Sequence, residues 1–246
     1  MRYLILTDIH ANWEALEAVM ARAGGGYDKI LCCGDVVGYG ADPNRATEWV
    51  REHVQATVRG NHDRACTGGA DLEWFNPLAQ ASALWTLAEL KEENVEWLQR
   101  LPRGPAPVGT FQILHGSPLD EDEYLITPND ASQLIGYLET SISFFGHTHI
   151  QGGFSFYRRA VSRLSPVPPG EESAEMHLDK DRQWLINPGS VGQPRDGDPR
   201  AAFAVFDART RMLTWHRVDY DVETAARKIR DAGLPELLAL RLVAGH

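Results

Sequence analysis

Apolar residues in the first hundred positions form short runs, separated by stretches whose apolar residues recur at helical spacing. Tyr3 to Leu6 is wholly apolar and stops at Thr7-Asp8, the pattern of a strand buried on both faces. Asn12 is placed to cap a helix in which Trp13, Leu16 and Val19 or Met20 share a face, and Gly24-Gly25-Gly26 ends it. A second apolar run, Ile30 to Cys33, stops at Gly34-Asp35. Asp42-Pro43 then opens a helix carrying Ala46, Trp49 and Val50 on one side. Val54 to Val58 predicts a third strand, ending at Arg59-Gly60-Asn61-His62. This β-α-β-α-β rhythm implies a parallel sheet with helices on its faces.

A mostly helical stretch follows. Asn76-Pro77 begins a helix with Leu78, Ala81, Leu84, Trp85 and Leu87, and a shorter helix runs up to Leu101-Pro102. Residues 102–109 read as a proline- and glycine-rich connector. Phe111 to Leu114 predicts a strand ending at His115-Gly116. Thr127-Pro128 starts a helix, and Ile142 to Phe145 a strand ending at Gly146-His147-Thr148-His149. The second half is β-rich, with short runs at Phe154 to Tyr157, Trp184 to Ile186, Ala201 to Phe206 and Met212 to Val218. Between them Ser165 to Lys180 is polar and proline-rich and reads as a mobile loop or a poorly formed hairpin. Asp221 caps a last helix that ends near Gly233, and Pro235 starts a final turn or two. With no internal repeat and no clean linker, residues 1–246 are expected to form one domain, with a helical insertion at 64–101 and a helical tail at 221–246.

Composition narrows the partners. The 246 residues are 43% hydrophobic and 24% charged, within the globular range. The net charge of -10 leaves no excess of Lys and Arg for a long nucleic acid. It leaves room for a small phosphorylated substrate, because bound metal reverses the local charge of a site on an acidic protein. Cys32, Cys33 and Cys66 are too few for a disulfide framework and read as buried reduced thiols, which points to a cytoplasmic home. The apolar run in MRYLILTDIH is too short for a signal peptide or a membrane span, and no other stretch approaches spanning length, so no membrane partner is expected.

Candidate chemistry lies at the strand ends. Asp8 and His10, Asp35, Asn61 and His62, His115, and His147 with His149 all follow predicted strands, at the edge where open α/β sheets bind ligands. The i, i+2 spacing of Asp8 and His10, and again of His147 and His149, predicts that an extended strand end aims both members the same way. Gly34 lets the backbone turn closely, so that the Asp35 carboxylate projects between two metals. Two carboxylates, one amide and four imidazoles form a mixed N/O set suited to divalent transition metals. Manganese is the leading expectation, and Fe, Zn, Ni or Co are the alternatives.

The series Asp8-x-His10, Gly34-Asp35, Gly60-Asn61-His62-Asp63, His115 and Gly146-His147-Thr148-His149 resembles the complete signature of the calcineurin-like metallophosphoesterases, in that family's order. The small prokaryotic phosphodiesterases are the subgroup resembled, and Asn187-Pro188-Gly189-Ser190 is typical of it. The resemblance implies a four-layer α/β/β/α sandwich of two mixed sheets flanked by helices. It places one metal on Asp8, His10, Asp35 and His149, and a second on Asp35, Asn61, His115 and His147. It implies attack on the phosphoester by a hydroxide that bridges the two ions. His62 matches the family's catalytic histidine, as a stabiliser of the transition state or as a proton donor to the leaving alkoxide. Asp63 is the residue expected to fix its tautomer.

Around this set the readings divide. Arg195, in the loop after Asn187-Pro188-Gly189-Ser190, is a candidate phosphate contact, with a solvated arginine as the alternative. Tyr39 and Arg45 follow Asp35 on a loop that borders the site and are candidate substrate contacts. His53 sits where an imidazolium complements a helix C-terminus, and His177, His216 and His246 match no role. Trp74, Phe75, Trp85 and Trp97 in the helical insertion read as core, with a flap that stacks a nucleobase as the alternative. The insertion and the tail are candidates for a cap over the site or a homo-oligomer interface. After Gly34-Asp35 the chain lacks the phosphate-binding arginine of eukaryotic-type protein phosphatases, and it reads GNHD where they usually read GNHE. A phosphodiesterase or small-nucleotide hydrolase is therefore expected ahead of a phosphomonoesterase, a protein Ser/Thr phosphatase, a diadenosine-tetraphosphate-type hydrolase or a non-enzymatic scaffold.

Overall fold

A computed structural model describes residues 1–70 and 72–246; the side chain of Trp74 also lies outside what is described. In β1 (Arg2–Leu6) every residue after the first is buried, and its alternating side chains serve two different cores. Tyr3 and Ile5 join Phe111, Phe144, Phe206 and Trp215 in one cluster, while Leu4 and Leu6 join Leu16, Val19 and Val50 in another. β2 (Lys29–Cys32) continues the division: Ile30 and Cys32 fall in the second cluster, Leu31 and Cys33 in the first. All three cysteines are free and buried, and burial pushes their thiols up.

Two six-stranded mixed sheets result. The first runs β3 (Ala56–Thr57), β2, β1, β11 (Ala201–Asp207), β12 (Met212–Val218), β9 (Ser173–His177). Its β1, β2 and β3 are parallel, and β11 is antiparallel to β1 with Tyr3 opposite Phe206. The second runs β4 (Ala106–Val108), β5 (Phe111–Ile113), β6 (Ile142–Phe144), β10 (Gln183–Asn187), β7 (Gly152–Tyr157), β8 (Ala160–Arg163), with β5, β6 and β10 parallel. The Phe111, Phe144, Phe206 and Trp215 cluster draws on strands of both sheets and is the core between them.

Helices cover the outer faces. α1 (Trp13–Ala23), α2 (Pro43–His53), the short α3 (Asn61–Ala65) and α5 (Glu92–Gln99) contribute to the core on the first sheet. α6 (Pro128–Ser132) and the turn after it lie on the second, through Ala131, Leu134 and Leu138. α4 (Pro77–Glu89), α7 (Val222–Asp231) and α8 (Glu236–Ala244) share a further apolar cluster with Tyr39. The caps fall where expected: Asn12 accepts from the Ala15 amide, Asn76 from Leu78 and Ala79, and Asp221 from Thr224. Asp42 makes no capping bond; its carboxylate pairs with Lys228 at 2.7 Å.

Three sequence expectations change. The third strand shrinks to two residues at a sheet edge. The connector at 102–109 contains β4, antiparallel to β5. The polar stretch 165–180 contains β9, paired with β12 from Met212 opposite His177 to His216 opposite Ser173. An edge strand with no fully buried residue carries little apolar signal, which is why SAEMH reads as loop. No helix among the described residues is long and apolar enough to cross a membrane.

Candidate metal centre

The parallel strands of both sheets end at the same rim. Asp8 follows β1, Asp35 follows β2, Asn61 opens α3 after β3, His115 follows β5 and His147 follows β6. The paired residues do not converge by strand alternation. Asp8 has φ +52° and His10 +48°, while His147 has +66° and His149 +58°. Asp35 at +54° and Tyr39 at +62° are left-handed as well. For residues with a Cβ this conformation is held only where the surroundings impose it. The backbone leaves the strand in tight left-handed turns, and these turns gather the side chains.

The hydrogen bonds define what the cluster accepts. His10 Nδ1 lies 3.0 Å from the Val37 carbonyl, His149 Nδ1 2.6 Å from that of Gln193, and His115 Nδ1 2.8 Å from that of Cys33. His147 Nε2 lies 3.1 Å from the Asp122 carbonyl. A carbonyl only accepts, so each of these nitrogens carries the proton. In the neutral rings, those of His10, His147 and His149, the other nitrogen is then a lone pair directed inward. His10 Nε2 and His149 Nε2 face each other at 3.1 Å, and His115 Nε2 stands 3.1 Å from Asn61 Oδ1. Buried Asp8 Oδ2 and Asp35 Oδ2 make no geometrically sound hydrogen bond among the described residues, and Asp35 Oδ2 faces only His115 Nε2 at 3.3 Å and His10 Nε2 at 3.6 Å. Acceptors facing acceptors in a dry site call for cations between them. The backbone carbonyls supply the outer support that orients metal-binding imidazoles.

The charge balance agrees. Burial holds His10 and His149 well down and His147 at about 3, so these rings are neutral. Burial also disfavours the imidazolium of His115, yet the Asp35 and Asp8 charges hold it up to about 10. Asp8 is raised to about 7, by burial and by Asp35. Asp35 is buried too, but the facing histidines, His115 first, keep its carboxyl well below the ordinary range. The carboxylates thus demand positive charge at the centre.

Asp8, His10, Asp35 and His149 each bring one ligand atom within 4.8 Å of the others, and Asp35 does the same with His115 and His147. A family model described as the calcineurin-like phosphoesterase superfamily domain matches residues 1–211. The chain belongs to this superfamily. Relatives span its whole length. The protein MJ0912 of Methanocaldococcus jannaschii is 35% identical, over 98% of this chain and 97% of its own. A metallophosphoesterase structure from Sphaerobacter thermophilus is 37% identical, with a TM-score of 0.87 over 100% of this chain and 99% of that one. The structure of PH1004 from Pyrococcus horikoshii OT3, 20% identical, shares the fold at a TM-score of 0.76 over 100% and 98%. A phosphoesterase-family chain with an Asp/His cluster of this composition is suited to divalent metal ions.

The calcineurin-like signature residues outside the two groups have distinct surroundings. His62 is buried between Tyr39, His10 and Phe75, with ring centroids at 4.3, 5.0 and 5.5 Å. Its amide donates to Asp35 Oδ1 at 2.8 Å, and its Nδ1 has no partner among the described residues. Asp63 does not fix the His62 tautomer. Its carboxylate accepts the amides of Asp35 (2.9 Å), Val36 (2.8 Å), Val37 (3.2 Å) and Gly60 (3.0 Å) instead. Placed third in α3, it reaches back to the helix start and ties the Asp35 loop there. Arg45 also departs from expectation. It lies over the Trp13 ring at 3.9 Å and pairs with Glu17 at 3.5 Å, on the exposed flank of α1.

Tyr39 and Arg195 do border the site. Tyr39 is 4% exposed and packs on His10 at 4.7 Å, while its amide donates to Ser82 of α4. The Arg195 guanidinium stands 5.5 Å from the Tyr39 ring, held by Gln193 Oε1 at 2.8 Å. No carboxylate pairs with it among the described residues. Burial raises the phenols of Tyr39 and Tyr124, and Arg195 draws both back down. Sequence reasoning missed Tyr124, whose ring lies 3.9 Å from that of His147. It is the only aromatic in the acidic run DEDEY, which is the one signal it offered. Also missed was the bracing by Asn187 and Ser190. Asn187 donates to the Gly146 carbonyl at 3.0 Å, and Ser190 to the Asp8 carbonyl at 2.8 Å.

Proposed function

We propose that this chain is a metal-dependent hydrolase of small phosphodiesters, nucleotides included, that binds two divalent ions with manganese foremost. The observation that carries this reading is the membership of Asp35 in both ligand groups, with its buried Oδ2 between His10 Nε2 at 3.6 Å and His115 Nε2 at 3.3 Å. Asp8, His10, Asp35 and His149 would hold one ion; Asp35, Asn61, His115 and His147 would hold the other. Such ions supply Lewis-acid polarisation of the phosphoryl group and an activated water.

The remaining roles belong to side chains of the chain itself. Arg195 binds a non-bridging phosphoryl oxygen, since its guanidinium has no carboxylate to satisfy among the described residues. His62 Nδ1 has no partner among the described residues, which leaves the ring free to hydrogen-bond the phosphoryl group or the departing oxygen. Tyr39 keeps that ring in place, and Asp63 keeps the Asp35 loop in place. Buried His10, His147 and His149 are neutral and present their lone pairs without reorganisation, while His115 would give up the proton that Asp35 and Asp8 hold on it.

The test is hydrolysis of bis-p-nitrophenyl phosphate against p-nitrophenyl phosphate by chelator-stripped protein, with Mn, Ni, Co, Zn, Fe(II) and Mg added back separately. Metal-restored turnover that favours the diester is the expected result. A monoester preference replaces the diesterase reading with a phosphomonoesterase. No turnover with any metal removes the hydrolase reading and leaves the scaffold.

A further inference from the structure

Beside the metal centre lies an open cavity of about 230 Å³. Its inner wall is Asn61, His62 and His147, and its outer wall includes Tyr39, Phe75 and Tyr124. These three aromatic rings come from three separate segments. Tyr39 follows β2, Phe75 precedes α4, and Tyr124 lies between β5 and α6. Phe75 meets His62 edge-on at 5.5 Å, and Tyr124 lies against His147 at 3.9 Å and 35°. Tyr124 is 49% exposed while Leu125 beside it is buried in the core at 2%, so the Tyr124 ring is turned to the cavity and not to the core.

Charge in this cavity is already spent. Among the described residues Asp122 is its only carboxylate, and it pairs with Arg64 at 2.7 Å while its main chain supports His147. A charged group there would meet no free counter-charge, whereas a flat neutral ring would meet aromatic faces and edges. Arg195, without a carboxylate partner among the described residues, stands 5.5 Å from the Tyr39 ring that lines the cavity, so the phosphate position and the aromatic wall adjoin.

Building on the phosphoesterase reading above, we infer that Phe75 and Tyr124 are specificity-determining residues that stack a planar aromatic group of the phosphoester, a nucleobase or an aryl ring, beside the metal centre. Aliphatic esters gain nothing from this wall. Stacking a base on an aromatic side chain is worth roughly 5- to 100-fold in affinity, and that is the size of the selectivity assigned to it.

The experiment compares kcat/KM of the manganese-loaded protein for adenosine 2′,3′-cyclic phosphate, bis-p-nitrophenyl phosphate and glycerophosphoethanolamine. The substitutions are Tyr124→Ala, Tyr124→Phe and Phe75→Leu. The wild type should favour the ring-bearing esters. Tyr124→Ala should cut the ratio of aromatic to aliphatic kcat/KM about 10-fold, chiefly through KM, and Tyr124→Phe should restore it. Preference for the cyclic nucleotide names a nucleobase as the natural ring, and preference for the nitrophenyl ester names an aryl group. A ratio that Tyr124→Ala and Phe75→Leu leave within about twofold of the wild type overturns the inference while the hydrolase reading stands. If no ester is turned over, saturation-transfer NMR on the metal-free protein decides independently. Adenosine monophosphate ring protons should receive saturation that Tyr124→Ala abolishes, and equal transfer in both proteins overturns the assignment.

Discussion

At the scale of single residues, the centre depends on side chains that tolerate no close substitute. Asp35→Asn removes the one carboxylate common to both ligand groups. Metal content should fall below one ion per chain by plasma mass spectrometry, and turnover should fall at least about a hundredfold. Unchanged metal content would end the shared-ligand assignment. Gly60 sits so close to Asp35 that a Cβ would stand 2.0 Å from its Oδ1 and 2.4 Å from its amide nitrogen. Gly60→Ala must displace that loop, so metal content and turnover should both be lost. Full metal content in Gly60→Ala would show that the loop yields more readily than this packing allows. Asp63 acts on four backbone amides and not on His62. Burial and the Asp35 charge push its carboxyl up, to about 7, against those donors. Asp63→Ala should lower unfolding stability by about 3 kcal/mol or more in urea titrations, since each orphaned buried amide costs ~1–3 kcal/mol. Normal stability with only a shifted pH–rate profile would restore the tautomer role.

Among the elements, α4 is the helix that ties the outer helices to the rim. α4 reaches the active-site loop directly, through Ser82 to the Tyr39 amide and through Ala79 in the cluster shared with α7 and α8. The C-terminal helices therefore support the site from behind, with Lys228 of α7 pairing with Asp42 just after the Tyr39 turn. Asn76 caps α4 with two amide bonds, so Asn76→Ala should cost about 1 kcal/mol, read as a lower Tm. Because α4 carries Tyr39's partner, the same variant should raise KM more than it lowers kcat. A Tm loss with unaltered KM would separate the insertion from the site. The apolar faces of α1 and α2 were readable from their spacing. α4 instead buries Ala79, Ser82, Ala83 and Thr86 and leaves the expected Leu84 and Leu87 exposed, because small residues are what fit against its neighbours. β4, β8 and β9 were not readable, because short edge strands bury too little for periodicity to register.

For the whole molecule, buried acceptors and buried imidazoles couple stability to metal and to pH. Ions that bind only the folded chain stabilise it, by ~2.7 kcal/mol at a hundredfold excess over Kd. Chelation should therefore lower Tm and manganese should restore it; an unmoved Tm would argue against a buried ion site. His216 isolates the proton linkage, since it lies outside the metal cluster, stacked on Phe203 at 4.7 Å and 15°. Its Nδ1 is buried without a partner, and burial pushes the ring down to about 4 from an ordinary 6.5. As pH falls through that interval the unfolded chain takes up a proton that the folded chain refuses. Stability present above pH 6.5 is thus lost towards pH 4. Between pH 7 and 5 the urea midpoint of His216→Phe should fall less than that of the wild type. Identical pH dependence would remove His216 as a source of acid sensitivity.

The opening β-α-β-α-β rhythm, the two-sided burial of β1 and the chemistry of the strand ends were legible in one dimension. Each rests on local rules: apolar runs, caps, and polar residues placed where a strand must stop. Asp8, His10, Asp35, Asn61, His115, His147 and His149 could be picked out because acceptor side chains recur after those runs. Their convergence required the tertiary structure. Left-handed turns at Asp8, His10, Asp35, His147 and His149 aim them, and backbone carbonyls from distant segments set each tautomer. The outer residues were the least legible. Arg45 turned away to Trp13, Asp63 became a backbone cap, and Tyr124 and Phe75 arrived at the cleft from segments far apart in sequence. A side chain's surroundings in such a rim are set by what packs across from it, and sequence spacing carries no record of that distance.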